Sequence, residues 1–211
     1  MRGNPSVASN GRMVGLRLYR APWSTNVERV TLALAHKGLE AESVWIDYAD
    51  RTPVERVSGQ PLVPVLEHGD TVIADSQRIL RYLERAWPQA PLFPREPGPA
   101  ATVDVFLEWF DGVWKGPPNA IADHGPDPDL SARLRGWLDV FERLLDGREH
   151  LFGAFGAADC VAYPFLKYAL ARDPDDDEAF HLTLERELGL HGDHPRLAAW
   201  IERVSRRPGA Y

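Results

Sequence analysis

Apolar and polar residues alternate over 16–19, and apolar residues then recur at helical spacing at Val27, Val30 and Leu34 until Lys37-Gly38 closes the run. The first stretch predicts a short strand and the second a helix. With another strand at 44–46, this makes strand, helix and strand within about 30 residues, the size of a βαβ unit with parallel strands. Residues 65–66 and 71–73 flank His68-Gly69-Asp70, which predicts an antiparallel hairpin. Over 76–86, Ile79, Leu80 and Leu83 share one face of a predicted helix. The style then changes. Pro88, Pro91, Pro94, Pro97 and Pro99 mark a passage in which neither helix nor central strand is expected. Beyond it the spacing is helical at 101–114, 130–145, 159–171, 181–188 and 197–206. The pattern therefore predicts an α/β domain over 13–90, a proline-rich linker over 91–99 and an all-helical domain over 100–211.

Composition narrows the function. The 211 residues suffice for a real core, and 44% hydrophobic with 26% charged residues is ordinary for a soluble globular chain. A net charge of −7 argues against a nucleic-acid partner, which demands a clustered basic face. Cys160 is the only cysteine, so an intramolecular disulfide and a Cys-x-x-Cys redox pair are both excluded, and a reducing, cytoplasmic compartment is expected. Residues 1–12 are polar and read as a disordered leader without the apolar segment of a signal peptide; Met13 is an alternative start. No apolar stretch of 18 residues exists, so no membrane span is expected.

Two short motifs carry candidate chemistry. Leu62-Val63-Pro64-Val65-Leu66 reads as a strand interrupted by a residue that removes a ladder donor, which a cis Val63–Pro64 peptide would reconcile. In that geometry Val63 turns its N–H and C=O outward, where an extended, peptide-like ligand pairs with both. Asp75-Ser76 opens a predicted helix, whose unpaired N–H groups suit a carboxylate. Both residues are also ordinary helix caps.

Four segments in this order and spacing carry a family resemblance. They are Tyr19-Arg20-Ala21-Pro22-Trp23-Ser24-Thr25-Asn26-Val27-Glu28-Arg29-Val30, Gly59-Gln60-Pro61-Leu62-Val63-Pro64-Val65-Leu66, Asp75-Ser76-Gln77-Arg78-Ile79-Leu80-Arg81-Tyr82-Leu83 and Gly156-Ala157-Ala158-Asp159. The chain, from Val14 to Tyr211, resembles a cytosolic glutathione transferase of the serine type. The resemblance implies a thioredoxin-like N-terminal domain of order βαβαββα, an all-α C-terminal domain, a two-fold homodimer, and conjugation of glutathione to a small hydrophobic electrophile. It places Ser24, five residues before Arg29, where the family presents a hydroxyl to the glutathione sulfur. A thiol near pKa 8.5 is mostly protonated at neutral pH, and lowering it by about two units takes roughly 2.7 kcal/mol. A hydroxyl donor and a helix N-terminus jointly supply that much.

The other implied contacts are Val63 and Pro64 at the peptide backbone, Ser76 at the γ-glutamyl carboxylate, Asp75 at its ammonium, and Gln60 and Arg51 toward the glycine end. Thr25 is a substitute donor for Ser24. Thr25 with Glu28 also forms a Thr-x-x-Glu capping box, which would free Ser24 from capping duty. Trp23, Trp109 and Trp114 are the aromatic candidates for the electrophile pocket, although aromatics at this spacing also build cores. At 156–159 the family's Ser/Thr-x-x-Asp box has Gly156 in place of its hydroxyl residue, with Phe155 as a hydrophobic staple; Cys160 is assigned to packing. A metal is not expected: Asp173-x-Asp175-x-Asp177 has Glu178 where a calcium loop needs glycine, and His191-x-x-His194 lacks a third ligand. The alternatives are a non-catalytic binding or scaffold protein of the same fold, and a thiol-disulfide reductase, for which the chain lacks a cysteine near Ser24.

Overall fold

The structure is a computed structural model that describes residues 13–211. The expected leader at 1–12 lies outside the described residues. Strand β1 (Met13–Arg20) leads to helix α1 (Thr25–His36), β2 (Glu40–Trp45), α2 (Thr52–Ser58), the hairpin β3 (Val65–His68) and β4 (Thr71–Ala74), and α3 (Ser76–Ala86). The sheet order is β2-β1-β3-β4, with β1 parallel to β2 and antiparallel to β3. This is a thioredoxin-like βαβαββα domain. Along β1 the alternation seen in the sequence sends Leu16 and Leu18 into the main core with Leu66, α1 and α3. Tyr19 faces the other side, where Val65, Ile46 and Val54 of α2 form a smaller cluster.

The second half is helical: α4 (Pro97–Trp109), a π-helical segment at Phe110–Trp114, α5 (Gly116–His124), α6 (Pro128–Leu144), α7 (Ala157–Leu166) with a 3₁₀ turn at Lys167–Ala169, α8 (Ala179–Leu188) and α9 (Pro195–Ser205). Its buried residues join those of the α/β half in one continuous core. Three expectations need correction. The linker ends at 96, because Pro97 and Pro99 occupy the first turn of α4, where a missing N–H costs nothing. Helix α5 was not expected, because Gly116-Pro117-Pro118 reads as a breaker; here these residues are its first turn. The segment expected as one helix at 159–171 tightens into 3₁₀ after Leu166.

The start of α7 shows why Gly156 departs from the usual cap. Asp159 accepts from the Gly156 N–H at 3.0 Å, from the Leu151 N–H at 3.1 Å and from the Trp200 indole at 2.7 Å. The Ala157 N–H, an unpaired donor of the first turn, is taken at 2.7 Å by the carbonyl of Leu92 in the linker. A Cβ on Gly156 would sit 2.6 Å from that carbonyl oxygen. The linker carbonyl thus does the work of the missing hydroxyl, and the close approach requires glycine. Gly156→Ser, which would restore the family's capping box, is expected to destabilise the protein by about 1–3 kcal/mol in urea denaturation, because the overpacked linker must move.

Candidate functional site

One row of the sheet gathers the candidate residues. Tyr19 pairs with Val65, and Val65 with Ala74, across three adjacent strands. Ser24 lies just beyond Tyr19, Val63 just before Val65, and Asp75-Ser76 just after Ala74. The two helix N-termini, of α1 and α3, therefore open at the same end of the sheet as the proline turn between them. The Val63–Pro64 bond is cis, and β3 begins only after it. Among the described residues the N–H and C=O of Val63 enter no hydrogen bond. The turn is held from within by Gln60, whose amide accepts from the Leu62 N–H at 2.7 Å and donates to the Leu62 carbonyl at 2.8 Å. Arg51 donates to the Pro61 carbonyl at 3.1 Å. Both side chains brace this loop.

Ser24 caps α1: its Oγ accepts from the Val27 N–H at 3.4 Å, a long bond that leaves the hydroxyl proton unassigned. The Thr25–Glu28 capping box does not form. Thr25 is buried as the first helical residue, and Glu28 is buried and committed elsewhere, to Lys167 Nζ at 2.7 Å and the Tyr211 N–H at 3.0 Å. Burial pushes the Glu28 carboxyl above its ordinary range, with Lys167 opposing. At α3, Asp75 Oδ1 caps the Arg78 N–H at 3.0 Å. Ser76 is 3% exposed, and its Oγ accepts from Arg29 Nη1 at 3.3 Å. Accepting from a cation leaves the Ser76 proton to be donated. Trp23 and Asp75 both have positive φ, 57° and 79°, a conformation that side-chain-bearing residues hold only when their surroundings impose it.

Beneath this end lies a network that motif reading had not singled out. Arg29 is fully buried; its guanidinium makes two bonds to Asp111, at 2.8 and 3.1 Å, and its Nε donates to the Val161 carbonyl at 3.1 Å. Gln77 donates to Asp111 at 2.6 Å, and Lys115 stands 3.7 Å from Asp111 and 3.4 Å from Asn26 Oδ1. Burial alone would raise the Asp111 carboxyl, but Arg29 and Lys115 outweigh it and hold the group below its usual range. Burial, and then Arg29, push Lys115 down. Asp111 belongs to the π-helical segment, a local irregularity often found at functional sites.

The three tryptophans part company. Trp114 is fully buried and stacked on Phe110 at 4.5 Å, so it is core and cannot line a pocket. Trp109 is half-buried edge-on to Trp137 at 5.6 Å and belongs to the α4–α6 packing. Trp23 borders a cavity of about 500 Å³ that also takes in Tyr163, Tyr168, Leu170, Ile201 and Tyr211. The Tyr211 hydroxyl donates to the Ser24 carbonyl at 3.2 Å, which joins this cavity to the start of α1.

Residues 18–91 match the family model described as glutathione S-transferase, N-terminal domain. These residues form a glutathione S-transferase N-terminal domain, and most of the chain is similar to members of that family. The chain is 29% identical over 201 residues to pyrimidodiazepine synthase of Drosophila melanogaster, covering 92% of this chain and 78% of that one. It is 28% identical to glutathione S-transferase U2 of Arabidopsis thaliana, covering 90% and 82%. A rice glutathione S-transferase solved in complex with glutathione superposes with a TM-score of 0.75 at 25% identity, covering 92% of this chain and 89% of that one. Within this transferase fold, the Arg29–Asp111 pair ties the two halves together directly under Ser76. Removing one partner strands a buried charge, so Asp111→Ala is expected to cost about 3–5 kcal/mol at neutral pH in urea denaturation. Because the Asp111 carboxyl is held low, its contribution is present above the ordinary carboxylate range and lost as pH falls through the lowered value. Wild-type stability should therefore fall more steeply than that of Asp111→Ala below about pH 4.

Proposed function

We propose that the protein is a glutathione S-transferase that joins the thiolate of glutathione to a small hydrophobic electrophile, with Ser24 as the catalytic hydroxyl. The observation that carries this reading is the meeting of two capped helix N-termini and an unpaired backbone strand position at one sheet end. Glutathione is an extended tripeptide with a carboxylate at its γ-glutamyl end. Its backbone pairs with Val63 beside Pro64, in the manner of an added strand. Its γ-glutamyl carboxylate takes the Ser76 hydroxyl and the N-terminus of α3, with the Arg29 cation behind, and its ammonium faces Asp75.

The sulfur then lies at the start of α1. Ser24 donates a hydrogen bond to the thiolate while the helix N-terminus favours the negative charge, so the thiol releases its proton to solvent near neutral pH without a general base. The thiolate attacks the electrophile and the leaving group departs with the electron pair of the broken bond. The cavity bordered by Trp23, Tyr168 and Ile201, with Lys167, Arg172 and Asp173 at its margin, receives the electrophile. Gln60 and Arg51 act at the glycine end through the loop they brace. Thr25, buried in the helix start, is not needed as a donor.

The described residues include no helix long and apolar enough to cross a membrane, and a cytoplasmic location fits the single cysteine. Exposed apolar residues occur on both halves, Leu62 and Val72 on one, Val105 and Val113 on the other, which supports a two-fold homodimer that buries them. The chemical reading is tested by titrating the thiolate absorbance of glutathione against pH with wild type, Ser24→Ala and Ser76→Ala. Wild type is expected to lower the thiol pKa by about two units. Ser24→Ala should bind glutathione with most of that shift lost and kcat/KM down about 10- to 100-fold, whereas Ser76→Ala should chiefly weaken binding. Unchanged kcat/KM in Ser24→Ala across several electrophiles would remove Ser24 from the mechanism, and binding without turnover would make the protein a glutathione-binding module.

A further inference from the structure

Arg20 closes β1, and its guanidinium lies between two aromatic rings, its carbon 4.5 Å from the centroid of Trp45 and 5.5 Å from that of Tyr211. Its Nε is buried and has no hydrogen-bond partner among the described residues. Its Nη1 reaches Ser43 Oγ at 3.5 Å, the far limit of a hydrogen bond, and the Tyr211 hydroxyl is the other polar group beside the guanidinium. Other arginines with restricted exposure have firm acceptors: Arg29 has Asp111, Arg172 has Glu185, and Arg51 and Arg203 have the carbonyls of Pro61 and Glu149. Arg20 forms no ion pair among the described residues, and residues 1–12 contain neither Asp nor Glu that could supply one.

This cation faces a slot of about 330 Å³ whose walls are Arg20, Ala21, Pro22, Trp23, Trp45 and Tyr211. Trp45, a large indole 60% exposed, forms one wall of the slot. Aromatic faces attract a guanidinium but cannot use its in-plane N–H donors, which point past the rings. In a chain of net charge −7, a half-buried cation with free donors and no counter-charge is matched to an anion from outside.

We propose that this slot binds a planar aromatic carboxylate, its ring system stacked against Trp45 and Tyr211 and its carboxylate paired with the Arg20 guanidinium. The geometry selects each part. Two parallel N–H bonds from a guanidinium match a carboxylate's two oxygens, and the volume accommodates two fused rings. The site does not use Ser24, Val63 or Ser76, so it stands without the transferase reading. It shares Trp23 and Tyr211 with the cavity proposed for the electrophile.

The test is calorimetric titration of the full chain, without glutathione and at low ionic strength, with 2-naphthoate and with its neutral isostere 2-naphthamide. Wild type is expected to bind the carboxylate about 10-fold more tightly than the amide, the scale of a charge-assisted hydrogen-bond pair. Arg20→Gln should abolish that preference, and Arg20→Lys should keep part of it. Trp45→Ala, at an exposed position that leaves the core intact, should weaken both ligands alike. Equal binding of the two ligands by wild type, retention of the preference in Arg20→Gln, or unchanged binding in Trp45→Ala would each overturn the proposal.

Discussion

The architecture turns on one buried guanidinium. Arg29 leaves α1 in the α/β half, and its donors are shared among a carboxylate of the π-helical segment, a carbonyl of α7 and the hydroxyl that opens α3. A charge with no exposure persists only where geometry satisfies it, and this one is satisfied by atoms from both halves. The relative placement of α1, α3 and the helical half is thereby fixed at the point where the thiol site opens. Packing adds to this, since α1 lies on α7 and one apolar core runs through both halves.

The site above it follows from strand register. Because Tyr19, Val65 and Ala74 form one row, three connections that are far apart in sequence open side by side. Each presents a different resource: a hydroxyl at a helix start, an unpaired extended backbone, and a second helix start backed by a cation. None of these needs a loop to close on it. The cavity proposed for the electrophile differs in kind, because its walls come mainly from 3₁₀ and helical segments of the second half and from the chain near Tyr211, with Trp23 from the first half. On the proposed reading, the thiol compound rests on the α/β half and the electrophile mainly on the second half, with Trp23 beside Ser24 shared by both.

The α/β half was legible because its signals are local. Alternation over 16–19, helical spacing from Val27 and the hairpin at His68-Gly69-Asp70 all name elements that exist. Asp75-Ser76 and the Val63–Pro64 turn were readable for the same reason. What failed was what depends on distant partners. Glu28 looked like the far end of a capping box with Thr25, but Lys167, 139 residues away, claims its carboxylate, and Ser24 caps the helix instead. Trp114 carries the same residue type as Trp23 yet lies in the core, since a fold decides which aromatic meets solvent. Helix α5 hid behind Gly116-Pro117-Pro118, where proline marks a first turn as readily as an end. The role of Asp111 was invisible because a π-helical turn breaks the 3.6-residue period on which face assignment depends.

The carbonyl of Leu92 that caps α7 binds the inheritance of two distant positions. A segment that composition marks as a spacer supplies one hydrogen bond to the helix that carries Cys160 and the Val161 carbonyl, and so its path is set to within a few tenths of an ångström. Position 156 tolerates only glycine while that path is kept, and a hydroxyl residue there demands a rerouted linker. Exchange of either half with a relative that carries Ser or Thr at this cap therefore needs its own linker to travel with it. The natural seam for recombination lies before Leu92, at the start of the linker rather than at its end.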